Sequence, residues 1–317
     1  MESLADLLKS MPKGRSMLDQ FDDLRRELMS HPLILKLRAK HPELDDTALK
    51  LHVNQLHQYV TEYDHCSQCP GLERCPNDYP GHYTRLTVQD QNGQAYIHDH
   101  KVACKKQMAK EIRESVQDRI RSFYVDERAL HEGYSLAEMI DRDESREAAV
   151  SAVVNYIERT ESQGLPTKGL YLHGKFGTGK TFLMCYLLHE LAKNGFTGVI
   201  IYVPDFVEDL KLMFDQPGRM KETLDLLKES DILVFDDIGA ENLNPWVRDH
   251  VMGAILNYRM NRKPTFFTSN YDIDELEKHM SFTNKDGEDE GKGKRIMERI
   301  TPYVDTVAVN GRNHRRI

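Results

Sequence analysis

The residues with the most legible chemistry lie between 168 and 181, in the stretch KGLYLHGKFGTGKT. Gly174, Gly179, Lys180 and Thr181 satisfy the pattern G-x-x-x-x-G-K-[ST]. Glycine at the fixed positions lets successive backbone N–H groups turn inward onto phosphate oxygens without a Cβ in the way. Lys175, Phe176, Gly177 and Thr178 complete the loop that supplies those N–H groups. Lys180 can reach the β- and γ-phosphates of a nucleotide, and the Thr181 hydroxyl can ligate Mg²⁺. The helix beginning near Lys180 aims unpaired N–H groups and the positive end of its dipole at the same oxygens. The motif requires a strand before it and a helix after it. Leu170 to Leu172 and Phe182 to Ala192 supply both.

A second group of chemically capable residues ends the run DILVFDDIG, where four apolar residues are followed by Asp236 and Asp237. A parallel strand buried on both faces is apolar throughout, so carboxylates are admitted only at its C-terminal edge, where ligands bind. Asp236 is placed to hold Mg²⁺ directly or through water, and Asp237 to orient and activate an attacking water. Asn270 ends the apolar run 264–270 and is expected at the same edge, within reach of a γ-phosphate or that water. The competing use of an Asn after a strand is a turn or helix cap.

Four of the five cysteines fall between residues 66 and 104. Cys66 and Cys69 form a Cys-x-x-Cys knuckle that can hold one metal ion with both thiolates, and Cys75 follows a Pro-Gly turn. Leu86 to Val88, Gln91-Asn92-Gly93 and Ala95 to Ile97 read as a β-hairpin, which would return Cys104 to the knuckle. Cys66, Cys69, Cys75 and Cys104 are therefore expected to bind Zn²⁺ in a closed structural site. The alternatives are a histidine (His65, His82, His98 or His100) in place of Cys75 or Cys104, or reduced thiols with no metal.

These groups need elements to position them. Apolar residues at helical spacing mark helices over 17–29, 33–37 and 47–63, the last carrying Leu49, Val53, Leu56, Val60 and Tyr63. A charged helix is expected over 105–124. From Leu170 strands and helices alternate, which predicts an α/β fold with a parallel sheet flanked by helices. Its elements are a helix over 148–157, strands at 198–203, 231–235 and 264–270, a helix at 245–260, a mobile Gly-rich loop at 282–293, a short helix carrying Lys294, Arg295 and Arg299, and a strand at 304–309. The domain boundary falls between 125 and 140, giving a small helical and zinc-binding domain over 1–130 and a nucleotide-binding domain over 131–317.

The composition sets limits. The chain has 317 residues, 30% of them charged, with a formal net charge of −8, which argues against coating duplex DNA by bulk electrostatics but leaves room for a local basic groove. No apolar run approaches the ~20 residues of a membrane span, and the N-terminus lacks a secretory pattern. Clustered cysteines in such a chain suit a metal in the cytoplasm better than a disulfide framework.

The phosphate loop, the Asp-Asp strand and the strand-terminal Asn, in this order, resemble the P-loop ATPase core of the AAA+ superfamily. The segments VFDDIGAE (234–241), FFTSN (266–270) and KRIMERI (294–300) narrow that resemblance to the bacterial helicase loaders of the DnaI/DnaC group. The cysteine knuckle selects the DnaI type within it. The resemblance implies an ATPase using ATP and Mg²⁺ that loads the replicative hexameric helicase onto single-stranded DNA in initiation or restart of replication. The N-terminal domain would bind the helicase, and the ATPase domain would self-assemble. Arg299 matches an arginine finger that reaches a neighbouring subunit's nucleotide. Arg315 matches the second sensor, with Arg312 and Arg316 close by. The span 205–229 matches a helical insertion used on single-stranded DNA, and its Lys211, Arg219, Lys221 and Lys228 become candidate backbone contacts. An Asp-Asp pair, where many relatives in the superfamily have Asp-Glu, suggests slow or regulated hydrolysis. A transposition helper ATPase of the same superfamily is the alternative; it would share the core but not the knuckle.

Overall fold

The computed structural model describes residues 23, 25–91, 94–123, 125, 144–285 and 287–313. The chain divides into two compact units, Met1–Glu111 and Ile112–Ile317.

In the first unit, helices α1 (Pro32–Lys40), α2 (Asp46–Leu51) and α3 (Val53–Ser67) accompany an antiparallel hairpin of β1 (His82–Gln91) and β2 (Gln94–Ala103). Local signals start the helices. Pro32 sits in the first turn of α1, where its missing N–H is no loss, and the Asp45 carboxylate caps α2 by accepting from Ala48 N at 2.7 Å. Leu28, Ile34, Leu44, Leu49 and Leu56 close on Ala95 and Ile97 of the hairpin. Most of the expected helix 17–29 lies outside the described residues. Tyr63, expected on the apolar stripe, is exposed, and its neighbour Glu62 points inward instead. The inversion has a polar cause. Glu62 Oε2 accepts from Thr84 N at 2.6 Å and Thr84 Oγ1 at 2.8 Å, and Oε1 pairs with Lys101 Nζ.

The division between units falls inside α4 (Lys105–Arg119), whereas the sequence reading places a domain boundary between 125 and 140. That helix stops five residues short of Tyr124 because Ile120–Phe123 is a strand, β3, paired in parallel with β5 (Gly198–Tyr202). The second unit holds a six-stranded sheet in the order β10-β4-β7-β6-β5-β3, with every neighbouring pair parallel. Its other strands are β4 (Gly169–His173), β6 (Ile232–Asp236), β7 (Thr265–Ser269) and β10 (Val304–Ala308).

Side chains alternate across this sheet as the two-residue period of a strand demands. Leu170, Leu172, Ile200, Ile232, Val234 and Phe266 face one core with α5 (Glu147–Gln163) and α6 (Lys180–Lys193). Tyr171, Val199, Ile201, Leu233, Phe235 and Phe267 face the other, where α7 (Val203–Leu212) contributes Phe206, Val207 and Leu210. Helix α8 (Pro217–Glu229) follows α7. The helix expected at 245–260 is a π-helix, Val247–Met252, running into α9 (Gly253–Arg259). Within 282–293, expected as a loop, the chain instead pairs β8 (Phe282–Thr283) with β9 (Gly287–Glu288). Glu290 then opens α11 (Glu290–Met297), which follows α10 (Ile273–Ser281). Asp289 caps α11 by accepting from Lys292 N at 3.1 Å, so one carboxylate starts a helix in a stretch read only for its glycines.

Candidate nucleotide site

The strand order puts the chemistry together. β4, which delivers the phosphate loop, and β6, which ends in Asp236, are separated by β7 alone, so Asn270 emerges between them. Gly174, Gly177 and Gly179 take φ values of 145°, 75° and 95°, a region that L side chains rarely adopt. A Cβ on Gly174 would stand 2.5 Å from Val309 O, and one on Gly177 would collide with the Asn313 side chain. Thr178 Oγ1 closes the loop on itself by donating to Lys175 O at 3.0 Å, and Gly174 N ties it to β7 by donating to Ser269 O at 3.2 Å. Phe176 projects outward and is exposed.

Lys180 is buried at the head of α6, and its ammonium donates to Gly174 O at 2.8 Å, Lys175 O at 3.0 Å and Asn270 Oδ1 at 2.9 Å. It is thereby folded back over the loop, where phosphate oxygens would replace the carbonyl oxygens as acceptors. Thr181 Oγ1 lies 2.9 and 3.0 Å from the two oxygens of Asp236. A hydroxyl and a carboxylate side by side are the hard oxygen donors that Mg²⁺ takes, with the rest of its shell left to phosphate and water. Asp236 is 3% exposed. Burial pushes its carboxyl up to about 6, against hydrogen bonds from Thr268 and Thr181 that favour the charged form.

Asp237 is held in the left-handed region, at φ 56°, which a non-glycine residue adopts at a cost of about 1–3 kcal/mol. The turn is pinned to β7: Asp237 N donates to Thr268 Oγ1 at 2.8 Å, Ile238 N to Thr268 O at 2.9 Å, and Ser269 Oγ to Ile238 O at 2.6 Å. Asn270 Nδ2 donates to Asp237 Oδ1 at 2.7 Å. Lys180, Asn270 and Asp237 thus form one hydrogen-bonded chain and Thr181 with Asp236 a second, and Thr268 joins the two at the strand edge.

Thr268 is the residue that sequence reasoning missed. Its hydroxyl donates to Asp236 Oδ1 at 2.6 Å while accepting from Asp237 N, so it holds both acidic residues at once. A hydroxyl residue near the end of an otherwise apolar strand, two before Asn270, was the available signal. Arg146 was also missed: it is buried, and its guanidinium lies 3.3 Å from where a Cβ on Gly179 would be. Arg299 joins a different part of the unit, donating from Nη1 to Gly253 O at 2.9 Å. Arg315 and Arg316 lie outside the described residues, and Arg312 is exposed.

Among the described residues, no group of three or more His, Cys, Asp or Glu side chains is arranged to hold a metal ion. The closed four-cysteine shell expected from the sequence is thus not formed in that arrangement. Cys66, Cys69, Cys75 and Cys104 do line one cavity of about 170 Å³, with Gly81 and Asn77. Each sulfur also has an N–H directed at it: Asn77 Nδ2 at 3.7 Å from Cys66, Lys106 Nζ at 3.4 Å from Cys69, Gly81 N at 3.3 Å from Cys75, and Gln107 N at 3.4 Å from Cys104.

A phosphate loop beside an Asp-Asp strand, with a polar β7 terminus between them in a parallel sheet, defines an ATP-binding domain of the AAA+ class. Residues 84–316 match the family of IstB-like ATP binding proteins, and residues 1–98 match the N-terminus of primosomal protein DnaI. The replicative helicase loader DnaI of Bacillus subtilis is 33% identical over 281 residues, 88% of this chain and 88% of that protein. A crystal structure of DnaI superposes with a TM-score of 0.50 at 37% identity, covering 62% of this chain and 98% of that one. A putative primosome component from Streptococcus pyogenes gives 0.51 at 31% identity, covering 63% and 97%. The chain belongs to the DnaI family of replicative helicase loaders.

Proposed function

We propose that the chain is an ATP-driven loader of the replicative hexameric helicase onto single-stranded DNA. The observation that carries this reading is the union of a primosomal DnaI N-terminus with a complete Lys180–Thr181–Asp236–Asp237–Asn270 constellation in one chain. The first unit binds the helicase, and the second binds ATP and assembles with its own kind. A transposition helper shares the second half, and an insertion-sequence ATP-binding protein of Pseudomonas fluorescens is 30% identical over 100 residues. That likeness covers 32% of the chain, whereas the loader likeness runs through both units.

The chain's own residues divide the work of phosphoryl transfer to water. Loop N–H groups and Lys180 neutralise the β- and γ-phosphates, and Thr181 with Asp236 would hold Mg²⁺, which supplies charge stabilisation when bound. Asp237 accepts a proton from the attacking water and Asn270 fixes both partners. Arg299 completes the site of the adjacent subunit, so hydrolysis reports assembly. Single-stranded DNA is gripped by the α7–α8 region. There the exposed Phe214 ring lies 4.5 Å from Trp246, and the same α7–α8 stretch carries Lys211, Arg219, Lys221 and Lys228, aromatic rings and cations of the kinds suited to bases and phosphates.

The four cysteines fit Zn²⁺ as donors. They share a cavity, and hydrogen bonds from the Gly71 backbone and from Lys106 draw Cys69 toward the thiolate, the ligating form, while burial pushes the Cys66 thiol up. Cys66, Cys69, Cys75 and Cys104 would hold it as a structural ion tying α3 to the hairpin.

The test is reconstitution with the purified replicative helicase and single-stranded DNA covered by its binding protein. The chain with ATP should place helicase on the strand, and Lys180→Ala should not. Failure to bind the helicase, with stimulation of a transposase instead, overturns the reading in favour of the alternative.

A further inference from the structure

The turn that carries Asp237 is held from behind by a buried carboxylate that the mechanism above does not use. Glu241 is 3% exposed, and its Oε2 accepts from Gly239 N at 2.7 Å. Its Oε1 faces His279 Nε2 at 3.4 Å, and neither atom makes a hydrogen bond among the described residues. Burying a carboxylate this way is expensive, and an apolar side chain of similar size would serve packing better. The position therefore asks for a different explanation from stability.

The surroundings supply it. Gly239 has φ 97°, and a Cβ there would meet the Tyr271 ring at 2.6 Å, so the turn is pressed directly onto that ring. Tyr271 is fixed in turn: Tyr171 Oη donates to its carbonyl at 2.8 Å, and its ring lies 5.9 Å from that of His279. Ala240 N closes on Asp237 O at 3.3 Å. Residues 237–241 thus form a tight loop whose outer half is attached to α10 through Glu241 and His279, while its inner half is attached to β7 through Thr268 and Ser269. The left-handed Asp237 persists only where neighbours over-determine it. Thr268 and Ser269 restrain one side of the loop. Glu241 restrains the other.

We propose that Glu241 is a positioning residue for hydrolysis: by holding Gly239 N–H, with His279 behind it, it sets the backbone angle from which Asp237 addresses the attacking water. The inference rests on the reading of Asp237 as the residue that activates water. Glu241 touches neither nucleotide nor water, so its loss should spare binding and slow chemistry. Displacing a general base by about 1 Å can reduce turnover by on the order of 10²-fold.

The experiment compares full-length Glu241→Ala, Glu241→Gln, His279→Gln and Asp237→Asn for ATP affinity, ATP turnover in the helicase-bound assembly, and thermal midpoint. Glu241→Ala should lower kcat by more than about tenfold with the Kd for ATP nearly unchanged, the signature of an interaction lost in the transition state alone. Glu241→Gln should recover most of that loss, because its amide oxygen still accepts from Gly239 N and its amide N–H can donate to His279. His279→Gln should fall between the two. Wild-type turnover in Glu241→Ala overturns the proposal. So does parallel loss of affinity, turnover and thermal midpoint in both Glu241 variants, which marks the carboxylate as structural only. If Asp237→Asn hydrolyses ATP normally, the underlying assignment of Asp237 fails instead, and the two failures are told apart.

Discussion

Asn270 stands between a cation and an anion: its Oδ1 lies 2.9 Å from Lys180 Nζ, and its Nδ2 donates to Asp237 Oδ1 at 2.7 Å. An amide presents acceptor and donor together, and both are used. An aspartate here would still attract Lys180 but would set a second carboxylate against Asp237. Asn270→Asp should therefore leave ATP affinity within a few-fold and reduce turnover by about 10²-fold, the scale of one lost preorganised contact at a reacting centre. Lys180→Ala differs in kind, because it removes the charge that the phosphates meet. Titration with a fluorescent ATP analogue should show binding lost in Lys180→Ala and kept in Asn270→Asp; tight binding by Lys180→Ala would remove it from the phosphate site.

Arg299 rests on its own chain. Its Nη1 donates to Gly253 O at 2.9 Å, where the π-helix passes into α9, and a Cβ on Gly253 would stand 2.9 Å from that nitrogen. If Arg299 serves a neighbour's nucleotide, the two halves of one site come from two chains. Arg299→Ala should bind ATP normally and show almost no turnover in assemblies. Mixing it with Lys180→Ala, which lacks nucleotide but retains the finger, should restore a fraction of wild-type activity. Mixed assemblies as inactive as the separate variants would place Arg299 outside the shared site.

The cysteine cavity makes a prediction about composition. Freshly purified chain should contain about one Zn²⁺ per molecule, a closed four-ligand structural site. Chelation should lower the thermal midpoint of the first unit, followed by circular dichroism, while ATP binding by the second unit persists. Cys69→Ser should release the metal more readily than the native chain. Protein purified without zinc, with a midpoint indifferent to chelator, would assign these thiols no metal.

The candidate nucleotide site is legible because each of its members obeys a local rule. Glycines at fixed spacing announce the phosphate loop, and carboxylates after an apolar run announce a strand edge. What the sequence hid was held by partners distant in the chain. Thr268 looks like any polar strand end until β7 is placed between β4 and β6, where its hydroxyl meets both Asp236 and Asp237. Tyr63 fits the helical stripe and nothing in the spacing turns Glu62 inward; only the hairpin, bringing Thr84 and Lys101, shows why the acid does so. A four-residue spacing carries the helical pattern on through 120–123, yet β-branched Ile120 has an open sheet edge beside Gly198 and pairs with it. The π-helix at 247–252 lies between Pro245 and Gly253 and has no proline or glycine of its own to mark the change of pitch.

Glu62 also yields the clearest pH test, remote from the nucleotide. Burial pushes its carboxyl up, but Lys101 and the hydroxyl and N–H of Thr84 outweigh that and hold it below its ordinary value of 4.5. The charged form is therefore favoured by folding, so its stabilisation is complete above about pH 4.5 and is lost as pH falls through the lower folded value. Glu62→Gln removes the charge and leaves Lys101 facing a neutral amide. Lys101 is 30% exposed, so water screens part of the loss, and about 2 kcal/mol is expected near neutral pH rather than the larger cost of a fully buried pair. Urea unfolding of the first unit, followed at pH 7 and again below pH 4, should show the gap between native chain and variant shrinking with acid. A gap that stays constant across that range would mean that packing and the Thr84 hydrogen bonds, not the carboxylate charge, hold α3 to the hairpin.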